Sequence, residues 1–125
     1  MTRIQNSRRY DLEERTLNFA KQVVEFVNRL QKNITNMEIG KQLVRSAGSV
    51  GANYIEANES LSKKDFIMRI KICRKEAKES SYWLKLVSIN NEESEKKQGN
   101  LIQESVELTK IFGAILEKTD SNLKH

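Results

Sequence analysis

The chain has 125 residues, long enough to bury one real core and too short for two independent domains. Its 22 Lys and Arg against 17 Asp and Glu give a net charge of +5 and an isoelectric point near 9.4, which leaves room for a nucleic-acid, acidic-protein or anionic-membrane partner without choosing among them. Proline is absent and only five glycines occur, so turn signals for a multi-stranded sheet are few and an all-α chain is favoured.

Cys73 is the only cysteine, so an intrachain disulfide is excluded. The opening Met-Thr-Arg-Ile lacks the apolar stretch of a signal peptide, and no uncharged apolar run approaches the roughly 18 residues of a membrane-spanning helix. The expectation is a cytoplasmic protein that does not enter the membrane.

Residues 1–10 are polar, carry Arg3, Arg8 and Arg9 and show no apolar period, which predicts a flexible arm. Asp11 with Glu14 makes a capping pair, and Leu17, Ala20, Val23, Val24, Val27 and Leu30 then recur at three and four residues, predicting a helix from about Leu12 to Gln31. After a polar linker, Asn36 caps a second helix from about Met37 to Ser60 whose seam is Ile39, Leu43, Ala47, Val50, Tyr54 and Ala57.

Ser62 with Asp65 starts a third helix, the most regular of the set, with the seam Phe66, Ile70, Cys73, Ala77, Ser80, Leu84 and Val87. Asn90 to Asn100, including Gly99, reads as a charged connection. Leu101, Ser105, Leu108, Phe112 and Ile115 then mark a fourth helix, beginning near Ser94 or slightly later and ending near Lys118. Four such helices pack most simply as an up-down-up-down antiparallel bundle over residues 11–119, with 120–125 a polar tail.

A bundle needs one apolar stripe per helix, so the remaining faces carry the functional signal. In the second helix Gly48, Gly51 and Ala52 suit either a tight crossing inside the subunit or a contact between subunits. Arg45, Ser49, Asn53 and Glu56 form a polar stripe beside them, readable as a structural or a solvated network. The third helix carries a second apolar stripe of Met68, Ile72, Trp83 and Leu86, interrupted by Glu79; self-association covers it, or a neighbouring helix does.

Lys64, Lys71, Lys78 and Lys85 recur every seven residues on the same helix, with Arg74 and Lys75 beside them. The segment Lys63 to Lys85 holds eight basic and three acidic residues, whereas the rest of the chain has fourteen of each, so the excess charge is localised. Such a row attracts phosphates without reading bases, and a solvated lysine face is the plainer alternative.

The sequence contains no phosphate-binding glycine loop, no nucleophile elbow and no Glu-x-x-His pair. His125 is the sole histidine and stands at the C-terminus, without a second metal ligand at suitable spacing. Cys73 lies on the core seam, where a thiol behaves as a small apolar group. Glu56 with Glu59 and Glu76 with Glu79 are carboxylate pairs of a kind routine on wet helix surfaces. No catalytic residue, metal site or cofactor is expected.

Three stretches, Arg45-Ser-Ala-Gly-Ser-Val-Gly-Ala-Asn-Tyr-Ile-Glu-Ala57, Ser62-Lys-Lys-Asp-Phe66 and Glu79-Ser-Ser-Tyr-Trp-Leu84, resemble the four-helix-bundle proteins encoded in 23S ribosomal RNA intervening sequences. The resemblance runs from about Tyr10 to the end of the fourth helix and implies a cytoplasmic bacterial protein assembling as a ring-like homopentamer. It extends to accessory proteins of diversity-generating retroelements, which bind a reverse transcriptase and nucleic acid. Arg45, Asn53, Glu56 and Glu79 match recurrent polar positions of these motifs and are expected to serve packing or an interface. The chain is thus expected to be a non-enzymatic, oligomeric RNA- or DNA-binding protein, contacting phosphates through Lys64, Lys71, Arg74, Lys75, Lys78 and Lys85. The alternative is a protein-interaction scaffold or reverse-transcriptase accessory subunit with incidental nucleic-acid affinity.

Overall fold

The computed structural model describes the backbone of residues 2–123 and the side chains of residues 11–119. Four helices follow one another: α1 Thr2–Asn28, α2 Ile34–Asn58, α3 Lys63–Leu86 and α4 Glu92–Leu123. Connections of four or five residues send each helix back along its predecessor. Among the described residues each helix packs against its neighbour in sequence, α1 closes more sparsely onto α4, and the diagonal pairs stay apart. This is the up-down-up-down bundle that the four apolar seams call for.

The seams of α2 and α3 are those expected. Leu43, Ala47, Val50, Tyr54 and Ala57 face Ile70, Cys73, Ala77, Ser80 and Leu84 across the interior, with Leu101, Leu108 and Phe112 of α4 against them. The Tyr54 and Phe112 rings meet at 5.9 Å in a tilted pair. At Ser62 the side chain accepts the Asp65 backbone N–H, the cap expected for α3.

In α1 the phase differs from the expected one. The buried seam is Leu12, Thr16, Phe19, Val23, Phe26 and Leu30, while Leu17 and Val24 are exposed on its flank. The Leu17–Val24 and Phe19–Phe26 stripes both have helical spacing and lie about 160° apart around the cylinder. Turning the two phenylalanines inward wins because each aromatic ring buries more apolar area than a valine or leucine. Thr16 is tolerated in the seam because its hydroxyl donates to the carbonyls of Leu12 and Glu13 of its own helix.

The ends of the helices also shift. The α1 backbone starts at Thr2 and takes in the segment expected as an arm, whose side chains lie outside the described residues, as do those of the tail and of His125. The cap of α2 is Asn33, whose side chain accepts the Asn36 backbone N–H. Asn36 itself is buried one turn inside. Its amide donates to the carbonyls of Gln31 and Ser88 and its oxygen accepts the Ser88 N–H, tying together the two connections at that end of the bundle.

Helix α4 begins at Glu92, so Gly99 lies within it and not in a connection. Asn91 accepts the Ser94 N–H as a cap, and Glu92, Glu93 and Glu95 put negative charge at the positive end of the helix dipole. The charges that suggested a loop therefore favour the first turn of a helix. At the sparse α1–α4 seam, Arg15 donates Nε and Nη2 to the two carboxylate oxygens of Glu104 at 2.7 and 2.8 Å, with Glu107 at 3.3 Å.

Candidate nucleic-acid interface

Every member of the basic row is solvent-facing: Lys64, Lys71, Arg74, Lys75, Lys78 and Lys85 are all exposed on the outer surface of α3. At 1.5 Å rise per residue the row of every seventh residue places a cation about every 10 Å along some 30 Å of helix. Among the described residues none of the six makes an ion pair with a carboxylate. The stem of Arg74 lies near Gly113 of α4, so its side chain crosses a stretch of α4 that has no side chain.

Two of the three acids of α3 pair with Arg45 of α2. Glu76 is buried, and its Oε2 accepts from Arg45 Nη1 of α2 at 3.1 Å, while Glu79 lies 3.8 Å from Arg45 Nη2. Burial pushes the Glu76 carboxyl up, but hydrogen bonds from Glu79, Arg45 and Ser49 outweigh it and leave the group below the usual carboxylate range. Glu79 is raised, chiefly by its hydrogen bond to Glu76, then by burial and the Glu76 charge, with Lys75 and Arg45 opposing. The pair expected to be wet therefore belongs to a network between helices, with Glu76 buried and Glu79 half exposed.

That network contains more than the sequence suggested. Asn53 donates to the Ser49 carbonyl and hydroxyl and accepts from Arg69 Nη1 at 2.9 Å. Ser46 and Ser80 pair at 2.9 Å in the core, and Ser80 donates to the Glu76 carbonyl. Of the four expected polar positions, Arg45, Asn53 and Glu79 take part. The Glu56 side chain is exposed and makes no hydrogen bond or ion pair within the described residues, so it stands outside the network. Glu76, Arg69, Ser46 and Ser80 were missed, because partnership across helices leaves no mark in the spacing of one helix.

The small residues of α2 divide into two kinds. A Cβ at Gly51 would lie 3.0 Å from Thr16 Oγ1, so this buried glycine serves the α1–α2 crossing inside the subunit. Gly48 has open space where a Cβ would stand, and Ala52 is exposed beside it. The second stripe of α3 divides likewise. Ile72 and Trp83 are partly covered by the subunit itself, and Trp83 packs against the core. Met68 and Leu86 remain about half exposed, with Tyr82 next to them and edge-on to Trp83.

The Cys73 thiol is fully buried, donates to the Val50 carbonyl and is pushed up to about 12 by burial, the behaviour expected of a core residue. Among the described residues no three His, Cys, Asp or Glu gather into a metal-binding set. No helix of the described residues is long and apolar enough to cross a membrane.

No curated protein matches the chain. A crystal structure of a protein of unknown function from the S23 ribosomal protein family of Bacteroides thetaiotaomicron VPI-5482 is similar, with 31% identity over 87% of this chain and 97% of that one and a TM-score of 0.74. The model of the 23S rRNA-intervening sequence protein family matches residues 8–114, across all four helices. With most of its length matched and the same bundle in a relative, the chain belongs to the 23S rRNA-intervening sequence protein family.

Proposed function

We propose that this protein is a non-enzymatic, oligomeric nucleic-acid-binding protein of the bacterial cytoplasm, associated with 23S rRNA intervening sequences and gripping phosphates through the outer face of α3. The observation that carries the reading is the row of six exposed cations without an ion-paired carboxylate among the described residues, on a helix whose own Glu76 and Glu79 are drawn to Arg45. Such a surface attracts a phosphate backbone by charge and counterion release, without base discrimination. RNA and DNA are both candidate ligands.

A salt titration of binding to fluorescent RNA and DNA tests this. Affinity is expected to fall steeply and log-linearly with salt, and Lys71→Glu/Lys78→Glu/Lys85→Glu is expected to abolish it while leaving helicity and melting unchanged. Unchanged binding by that variant sinks the reading. A second reading, a scaffold that docks a protein such as a reverse transcriptase, is favoured by the exposed Met68, Tyr82 and Leu86, because apolar and aromatic clusters dominate protein contacts. Co-purification of one protein partner free of nucleic acid supports it.

A further inference from the structure

One aromatic ring stands inside the basic row of α3. Successive residues lie about 100° apart around a helix, which puts Tyr82 within about 40° of Lys64, Lys71, Lys75 and Lys78. Lys78 comes one turn before the ring and Lys85 one turn after it, about 6 and 4.5 Å away along the axis. Tyr82 is 60% exposed, and these lysines are exposed with it. Leu86, also exposed, follows one turn beyond the ring and extends its apolar surface.

The ring is braced from within the subunit. It meets the Trp83 ring edge-on, with centroids 5.1 Å apart and planes at 76°, and Trp83 is itself packed against the core. A platform fixed before its ligand arrives loses little side-chain freedom on binding. Glu79 stands about 60° round the helix from Tyr82, on the α2 side, and its carboxylate lies 3.8 Å from Arg45 Nη2, so a cation of α2 opposes its charge. Exposed aromatic residues scattered singly on a surface are ordinary. Tyr82 differs in having cations before and after it that make no ion pair among the described residues.

We propose that the outer face of α3 takes single-stranded nucleic acid, with one unpaired base stacked on the Tyr82 ring and the phosphates on either side of that nucleotide held by Lys78 and Lys85. This stacking rests on the phosphate grip proposed above and adds to it the state of the strand. Cations alone hold any phosphate backbone, paired or unpaired. An aromatic ring among them favours the unpaired form, because a duplex keeps its base faces against one another whereas a single strand has them to offer. Every base has such a face, so the preference is for the strand and not for its sequence.

The test compares binding of the full chain to a short oligothymidylate and to an abasic strand of the same length, which keeps the phosphates and lacks the bases. A duplex is a poorer control because its charge density differs as well. The wild-type protein is expected to bind the thymidylate about tenfold more tightly than the abasic strand. Tyr82→Ala is expected to bring the thymidylate down to the abasic affinity while leaving the abasic affinity and the salt slope unchanged, since no phosphate contact is lost. Tyr82→Phe, which keeps the ring, is expected to keep the preference. Should Tyr82→Ala impair folding, the comparison of the two strands on the wild-type protein decides alone. Equal wild-type affinity for both strands, or a loss on Tyr82→Ala that is the same for both, overturns the stacking and leaves the phosphate grip standing. Wild-type binding by Lys71→Glu/Lys78→Glu/Lys85→Glu overturns both.

Discussion

Nη1 of Arg45 lies 3.1 Å from Oε2 of Glu76, so a guanidinium half exposed on α2 holds a carboxylate that α3 carries into the bundle. Removing the cation leaves a buried charge without its partner, which costs far more than the pair itself contributes. Arg45→Met is expected to destabilise the fold by about 1–3 kcal/mol in urea denaturation. The double variant Arg45→Met/Glu76→Met is expected to regain most of that loss. Equal instability of single and double variants would show that the charge pairing is not what matters.

The neighbouring carboxylate gives a pH signature. Glu79 is raised by Glu76, so between the ordinary carboxylate range and its raised value the folded chain binds more protons than the unfolded one, and stability increases as pH falls through that window. Glu76 is lowered; its contribution is present above the ordinary range and is lost as pH falls further, through its lowered value. Stability is therefore expected to pass through a weakly acidic maximum. Glu79→Gln, which donates to Glu76 at every pH, is expected to lose the gain on the neutral side and keep the loss on the acid side. Its melting point at neutral pH should rise by roughly 1–3 °C. A pH–stability profile from urea melts reads both limbs.

Two glycines three residues apart on α2 are expected to respond in opposite directions. Gly48→Ala adds a methyl to open space and is expected to stabilise the isolated subunit by up to about 1 kcal/mol through helix propensity. Gly51→Ala places a methyl 3.0 Å from Thr16 Oγ1 and 3.3 Å from its Cβ, and Thr16 is pinned by its bonds to Leu12 and Glu13. A net loss of about 1–2 kcal/mol is expected as α1 is pushed off α2. Thermal melts at concentrations too low for association separate the two, and a stabilised Gly51→Ala protein would refute the tight crossing.

Asn36 joins the α1–α2 and α3–α4 connections by three hydrogen bonds. Asn36→Ala removes all three, and because Gln31 and Ser88 are exposed their freed groups can turn to water, an expected loss of about 1–2 kcal/mol. Hydrogen exchange is expected to accelerate first at Ser88 and its neighbours. An exchange pattern unchanged there would mean that water replaces the amide without cost.

The sequence carried the bundle, the seams of α2 and α3 and the Ser62 cap because each is local: a period, or a hydroxyl three residues before an acid. It misled at α1, where Leu17–Val24 and Phe19–Phe26 give two stripes of equal regularity and the larger apolar area of the two aromatic rings decides between them. It misled again in the stretch Asn90 to Asn100, where charge reads as a loop until the helix dipole is considered. The basic row was visible from its seven-residue repeat. That Glu76 and Glu79 pair with Arg45 was not, since this depends on Arg45 reaching across from another helix.

The buried Cys73 makes the protein its own conformational reporter. With its thiol against the Val50 carbonyl and its ionisation pushed up to about 12, it is closed to alkylating and oxidising reagents while α2 and α3 stay packed. The rate at which a thiol reagent modifies the native protein therefore counts the moments when that helix pair parts, with no label added and no residue changed.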